Sequence, residues 1–162
     1  MFGALYPPPM GGQPTETIVG RISNELLGMV KVRDNGRCRA CGIGDFDALQ
    51  ADHIVPASLG GLDRLDNLQA LCCVCNGRKG NVNVGELPIL PRMEGFGDFT
   101  EVMERRQNFI ELVKSKRSSS IQSAILEAKR MRADGVAGFK IRRAMAKMVD
   151  SRHIERILVE SR

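Results

Sequence analysis

The sequence predicts an α+β fold, a small metal-stapled core with flanking helices and a helical C-terminal appendage. Three observations carry that prediction. The chain has 162 residues, 43% of them hydrophobic, which supports one compact core plus accessories but falls short of two full-sized domains. All five cysteines fall between residues 38 and 75, around short apolar segments bounded by turn residues. From residue 99 onward the apolar residues recur at helical spacing.

The elements follow in order. Residues 1–14 are rich in Pro and Gly and read as a disordered arm. A helix is expected from Thr15, with Thr15 or Thr17 as N-cap and Ile18, Ile22, Leu26, Met29 and Val30 at helical spacing, ending at the turn Asp34-Asn35-Gly36. Residues 48–56 (ALQADHIVP) suit a short strand ending at Pro56, and residues 60–67 (GGLDRLDN) suit a loop. The apolar residues 68–71 lead into the second cysteine pair, after which residues 76–79 begin a short helix. Residues 80–98 read as a linker. A helix is expected over 99–116, with Phe99, Val102, Met103, Phe109, Ile110 and Val113 on one stripe. Ser118 to Ser120 are expected to cap a second helix bearing Ile121, Ile125, Ala128 and Met131 and closed by Gly135. Two shorter helices follow, at about 138–148 and 151–160. The chain thus divides into an arm (1–14), a core domain (15–98) and a helical region (99–162).

Cys38 and Cys41 form one Cys-x2-Cys pair, and Cys72 and Cys75 form another. Such pairs place two thiolates at neighbouring corners of a tetrahedron, which points to a structural Zn²⁺. Disulfides are the alternative, but the first residues lack the basic start and apolar stretch of a secretory signal, so a reducing, cytoplasmic location is expected (the host cytoplasm for a phage-encoded chain). Cys73 is left over as a spare thiol, or as a ligand in place of Cys72.

The formal net charge is +5, and it is unevenly placed. Residues 100–162 hold 15 Lys and Arg against 8 Asp and Glu, while residues 1–99 hold 9 against 11. A basic C-terminal region suggests an anionic partner, most often nucleic acid, though basic helices can also be solubilising surface. Aromatic residues make up only 4%, with no Trp, which argues against stacking platforms for single-stranded nucleic acid and against a large aromatic cofactor pocket. No apolar run is long enough for a membrane span.

Between the cysteine pairs stand Asp52 and His53, and directly after the second stands Asn76. Hydrolysis of a phosphodiester needs a base to activate water and a divalent cation held by hard oxygen ligands. Asp52, His53 and the amide oxygen of Asn76 supply such groups.

The run of CxxC, DHIVP, GG...LDNLQALC and CxxCN with Lys79 following resembles the HNH endonucleases, whose fold is the ββα-metal core. The resemblance covers about residues 30–82. It implies a metal-dependent DNA endonuclease in which His53 is the general base, Asp52 a ligand of a catalytic Mg²⁺ or Mn²⁺, Asn67 the residue that orients His53, and Asn76 the second metal ligand. It also implies products with 5′-phosphate and 3′-hydroxyl ends. Asn76 stands where the family name implies His, and an amide oxygen suits Mg²⁺ or Mn²⁺ better than zinc.

Adjacent residues of a regular strand point to opposite faces, so Asp52 and His53 diverge unless the strand is distorted near Pro56 or the scissile phosphate itself spans the gap. Arg78 and Lys79 are candidates for holding a phosphate.

Farther on, IRRAMAKMVDSRHIERIL places Ala144, Val149, Ile154 and Ile157 at the spacing that packs two short helices across a tight turn. The stretch resembles the DNA-binding helix-turn-helix of the small serine recombinases. That likeness implies Ser151, Arg152, His153 and Arg156 facing DNA and Arg142, Arg143 and Lys147 on backbone phosphates. Two amphipathic helices packed on the core, or on the partner in a homodimer, are the alternative. Two rival functions use the same residues: a non-catalytic zinc-finger DNA-binding protein, which leaves Asp52, His53 and Asn76 without a joint role, and a junction-resolving endonuclease, which acts on branched DNA.

Overall fold

The structure is a computed structural model and describes residues 22–92 and 98–162. The expected arm, the caps Thr15 and Thr17, and Ile18 lie outside the described residues. Helix α1 (Asn24–Arg33) starts later than the periodicity suggests, because the Ser23 hydroxyl accepts from the Leu26 N–H at 3.2 Å and caps it there. Ile22 precedes the helix and still packs against the core. The helix stops where expected: Asn35 and Gly36 both adopt positive φ (57° and 66°), and the Gly36 N–H returns to the Lys31 carbonyl.

Strands β1 (Leu49–His53) and β2 (Leu68–Cys72) form an antiparallel pair, with Leu49 opposite Cys72 and His53 opposite Leu68. The loop between them is drawn in by Asn67, whose amide accepts from Val55 N–H at 2.9 Å and donates to the Val55 and Leu62 carbonyls. Gly61 is required there, since a Cβ would stand 1.7 Å from the Val55 oxygen. Helix α2 (Cys73–Lys79) begins directly after β2, three residues before the expected start, and completes the ββα unit.

Buried Asp34 ties α1 to this sheet. Its carboxylate accepts from the Ala70 N–H at 2.7 Å and from Arg33 at 2.7 and 3.0 Å, while Arg33 also donates to the Leu65 and Leu68 carbonyls. The stretch after α2 is no loose linker. Val82, Val84, Leu87 and Leu90 are buried in it, and the buried Arg37 and Arg39 donate to the Pro91 and Leu87 carbonyls.

The largest departure lies in the helical region. In place of two helices there is one, α3 (Phe99–Ala133), 35 residues long and capped by Asp98, whose carboxylate accepts from the Glu101 N–H at 2.9 Å. The serines at 118–120 do not interrupt it; the Ser120 hydroxyl donates to the Lys116 carbonyl one turn back, at 2.9 Å, so a would-be cap is satisfied inside the helix. Two apolar faces share this helix. Val102, Phe109 and Val113 pack in the core of α1, the strands and the cysteine cluster, while Ile121, Ala124, Ile125 and Ala128 pack with α4 (Gly138–Met145) and α5 (Ile154–Glu160). Phe99 and Met103, expected on the stripe, are exposed.

The second cluster contains Val149, Ile154 and Ile157, with Ala144 packed against it, as the spacing requires. A single 3-10 turn (Ser151–His153) leads into α5, capped by Asp150, and Asn81 donates to Asp150 at 3.3 Å, linking the exit of α2 to this turn. The fold is therefore α+β, a ββα core followed by a helical C-terminal region. Among the described residues no helix is long and apolar enough to cross a membrane.

Candidate active site

The sulfur atoms of Cys38, Cys41, Cys72 and Cys75 all lie within 4.8 Å of one another and all four residues are buried, whereas Cys73 is exposed. The chain turn at Cys38 to Cys41 is closed by the Gly42 N–H bonding to the Cys38 carbonyl, and the second pair sits at the junction of β2 and α2. Tetrahedral thiolates about 2.3 Å from Zn²⁺ stand about 3.8 Å apart; Cys41 and Cys72 are separated by 3.8 Å. Thiols packed so closely also act on one another. Hydrogen bonding with Cys38 holds Cys41 down at about 6 and pulls Cys72 lower still, while hydrogen bonding with these neighbours pushes Cys38 and Cys75 up. Four buried sulfurs gathered this closely make a tetrahedral thiolate donor set that fits Zn²⁺. Arg106 of α3 points one guanidinium nitrogen at the Cys41 sulfur, 3.8 Å away, a neighbour for the cluster that nothing in the local sequence around the cysteines reveals.

The second cysteine pair lies where β2 passes into α2, and Cys72 stands opposite Leu49 of β1. β1 keeps its pairing through His53, so there is no distortion at the Asp52-His53 step and the two side chains find different partners. Asp52 meets α2: its carboxylate lies 2.8 Å from the Lys79 ammonium. Burial raises the Asp52 pKa, and the Lys79 charge opposes the rise. Gln69, directly across the ladder from Asp52, is fully buried, and among the described residues neither its amide atoms nor Asp52 Oδ2, close as the latter is to the ammonium, has a well-directed hydrogen bond. One turn before Lys79, Asn76 donates to Gln50 at 2.8 Å, with its Oδ1 as the amide's acceptor. A carboxylate oxygen with unused accepting capacity and an amide oxygen make a hard donor set, which suits Mg²⁺ or Mn²⁺.

Lys79 is a correction to the sequence reading. Expected at the surface as a phosphate ligand, it is fully buried, donating to the His53 carbonyl at 2.7 Å as well as pairing with Asp52. A lysine at the end of a short helix looks solvated in sequence; here the close approach of α2 to β1 covers it. Arg78 beside it is exposed.

His53 faces the loop instead. Its Nε2 lies 2.6 Å from Asp63 Oδ1, with both side chains largely buried. The Asn67 side chain, expected to orient His53, bonds to Val55 and Leu62 and so pins the loop that carries Asp63. Asp63 has no signal of its own in the sequence, standing as one of two acidic residues in a loop rich in turn formers.

In the helical region Arg142, Arg143, Lys147, Ser151, Arg152 and Arg156 are exposed and His153 is half-buried. Arg142 pairs with Glu155, Arg152 with Asp150 and Arg156 with Glu160. A groove between α3 and α5 brings His153 and Arg156 together with Lys114 and Arg117, two cations the sequence reading left out because they sit on α3 rather than in the turn.

No curated protein and no solved structure matches the chain. Residues 38–82, the segment that holds the four-cysteine cluster together with Asp52, His53, Asp63, Asn67, Asn76 and Lys79, match the HNH endonuclease family.

Proposed function

We propose that this chain is a divalent-metal-dependent DNA endonuclease, with a structural zinc in the four-cysteine cluster and its chemistry at the β1–α2 edge. One observation supports the reading: α2 lies along β1, with Asn76 bonded to Gln50 and Lys79 paired with Asp52, while the ring of the next residue, His53, turns to Asp63 in the loop, so Asp52 and His53 stand side by side with different partners at the end of β1. Asp52 and Asn76 would hold Mg²⁺ or Mn²⁺, which when bound stabilises charge on the phosphate and the departing oxygen.

The chain's own groups do the rest. His53 accepts a proton from water as the water oxygen bonds to phosphorus. The bond from phosphorus to the 3′-oxygen breaks, leaving a 5′-phosphate, and the 3′-oxygen takes a proton from solvent. Burial raises the Asp52 pKa, and the Lys79 ammonium beside it opposes that rise. Arg78, exposed on α2, is placed for a neighbouring phosphate. Duplex DNA is the partner that suits the basic surface of the helical region, where Arg143, Lys147, Arg152 and Arg156 are exposed.

The test is nicking of supercoiled plasmid with Mg²⁺ or Mn²⁺ and without. Cleavage that requires the ion and is abolished in His53→Ala, with folding and DNA binding retained, supports the reading. DNA binding without cleavage in any divalent ion would leave the chain a zinc-stapled DNA-binding protein. A strong preference for branched over linear duplex would make it a junction-resolving enzyme.

A further inference from the structure

We infer that Asp63 is the positioning residue for His53, holding the imidazole as the Nε2–H tautomer so that Nδ1 is left as the proton acceptor. The inference rests on the nuclease reading of His53 and goes beyond it in naming which nitrogen works and what fixes it.

The geometry is specific. Asp63 Oδ1 lies 2.6 Å from Nε2 of His53, a distance at which one of the two atoms must carry the hydrogen. A carboxylate only accepts, so the hydrogen belongs to Nε2, and the lone pair of a neutral imidazole is then on Nδ1. The pair is sheltered: Asp63's side chain is 8% exposed and His53's is 18% exposed. Asp63 is also placed independently of His53. The loop that bears it is fastened by Asn67 to Val55 and Leu62 and by the Gly61 turn, where no side chain fits. The other end of His53 is fastened too, since its carbonyl accepts from buried Lys79. Ring and backbone are thus held from two sides, through Nε2 and the carbonyl, and Nδ1 is the ring nitrogen left to accept.

A base that must meet an attacking water needs one nitrogen presented in one orientation; a ring free to flip or to change tautomer spends part of its time with a hydrogen facing the water. Asp63 removes both freedoms. Its action is through His53, with no contact to substrate required.

Only two histidines are present, His53 and His153, so the tautomer can be read directly from the nitrogen shifts and nitrogen-to-carbon-proton couplings of ¹⁵N-labelled full-length chain at alkaline pH. The expected result is the Nε2–H form for His53, giving way to a mixture in Asp63→Asn. An Nδ1–H form in the unsubstituted chain overturns the inference, and this arm needs no cleavage.

In single-turnover cleavage, Asp63→Asn should slow the chemical step by about 100-fold or more while DNA affinity stays within about twofold, and Asp63→Glu should recover part of the rate. If His53→Ala is inactive but Asp63→Asn cleaves at the original rate, the inference falls and the nuclease reading stands. If His53→Ala cleaves normally, His53 is not the base and the inference falls with that assignment, whereas the absence of cleavage in the unsubstituted chain with any divalent ion would overturn the nuclease reading. Should Asp63→Asn unfold, Asp63→Glu carries the test: loss of the Nε2–H form with unchanged rate would also overturn it.

Discussion

Arg106 and Cys41 are 65 residues apart in sequence, yet a guanidinium nitrogen of α3 donates to the Cys41 sulfur at 3.8 Å. Four thiolates around Zn²⁺ carry a net charge of −2, and a cation held against one sulfur lowers the cost of burying it. One zinc per chain is therefore expected by metal analysis, with folding lost on chelation, since structural zinc contributes on the order of 10 kcal/mol. Arg106→Met should keep the zinc but release it to a chelator about 10-fold faster. Cys73→Ser should change neither.

Asp34→Ala should be among the most damaging single substitutions. The carboxylate is fully buried and bonds the Ala70 N–H and two Arg33 nitrogens; its removal leaves the Arg33 charge with carbonyl partners alone and strips the Ala70 N–H of its side-chain acceptor. The expected loss is about 3–5 kcal/mol, read by urea denaturation of the zinc-loaded protein.

Truncation separates two placements of the helical region. A chain ending at Pro91 lacks Val102, Phe109 and Val113, which are buried in the ββα core, each worth about 1.5–3 kcal/mol, and it should not fold cooperatively. A chain ending at Lys116 retains them. It should hold zinc and nick plasmid in the presence of Mg²⁺ or Mn²⁺, but bind DNA with a shallower salt dependence, the log-log slope falling by about 0.9 for each phosphate it no longer neutralises.

Asp150 should make the helical region acid-sensitive. The Arg152 guanidinium holds its carboxyl down at about 2, below the ordinary aspartate value. Its contribution is thus fully present above about pH 4 and is lost as pH falls toward 2. Asp150→Ala should cost about 0.5–2 kcal/mol at neutral pH and flatten this acid dependence, measured by thermal unfolding between pH 2 and 7.

What was legible in the sequence was whatever depended on local spacing. The two Cys-x2-Cys pairs, the turn at Asn35 and Gly36, the strand at 49–53 and the packing of Val149, Ile154 and Ile157 all follow from neighbours a few residues apart. What was not legible depended on tertiary proximity. Ser118 to Ser120 look like a cap until Ser120 is seen bonding within its own helix, with buried faces on both sides. Lys79 looks like a surface cation until α2 closes over β1. Asp63 is silent until the loop, fastened by Asn67, folds back onto His53.

Because α3 runs unbroken through both clusters, the ββα unit and the α4–α5 pair are joined by a strut whose length and azimuth are fixed together. Each residue of α-helix advances about 1.5 Å and turns about 100°. A single residue inserted after Ser119 would swing the distal pair about 100° around the axis for almost no gain in reach, whereas seven inserted residues would nearly restore the azimuth while adding about 10 Å. If the distal pair grips DNA while β1 and α2 cut it, the offset between grip and cut is a matter of rotational phase. The one-residue insertion should scatter or abolish cleavage at the original position, and the seven-residue insertion should move it by about three base pairs along the duplex, given the 3.4 Å rise per base pair.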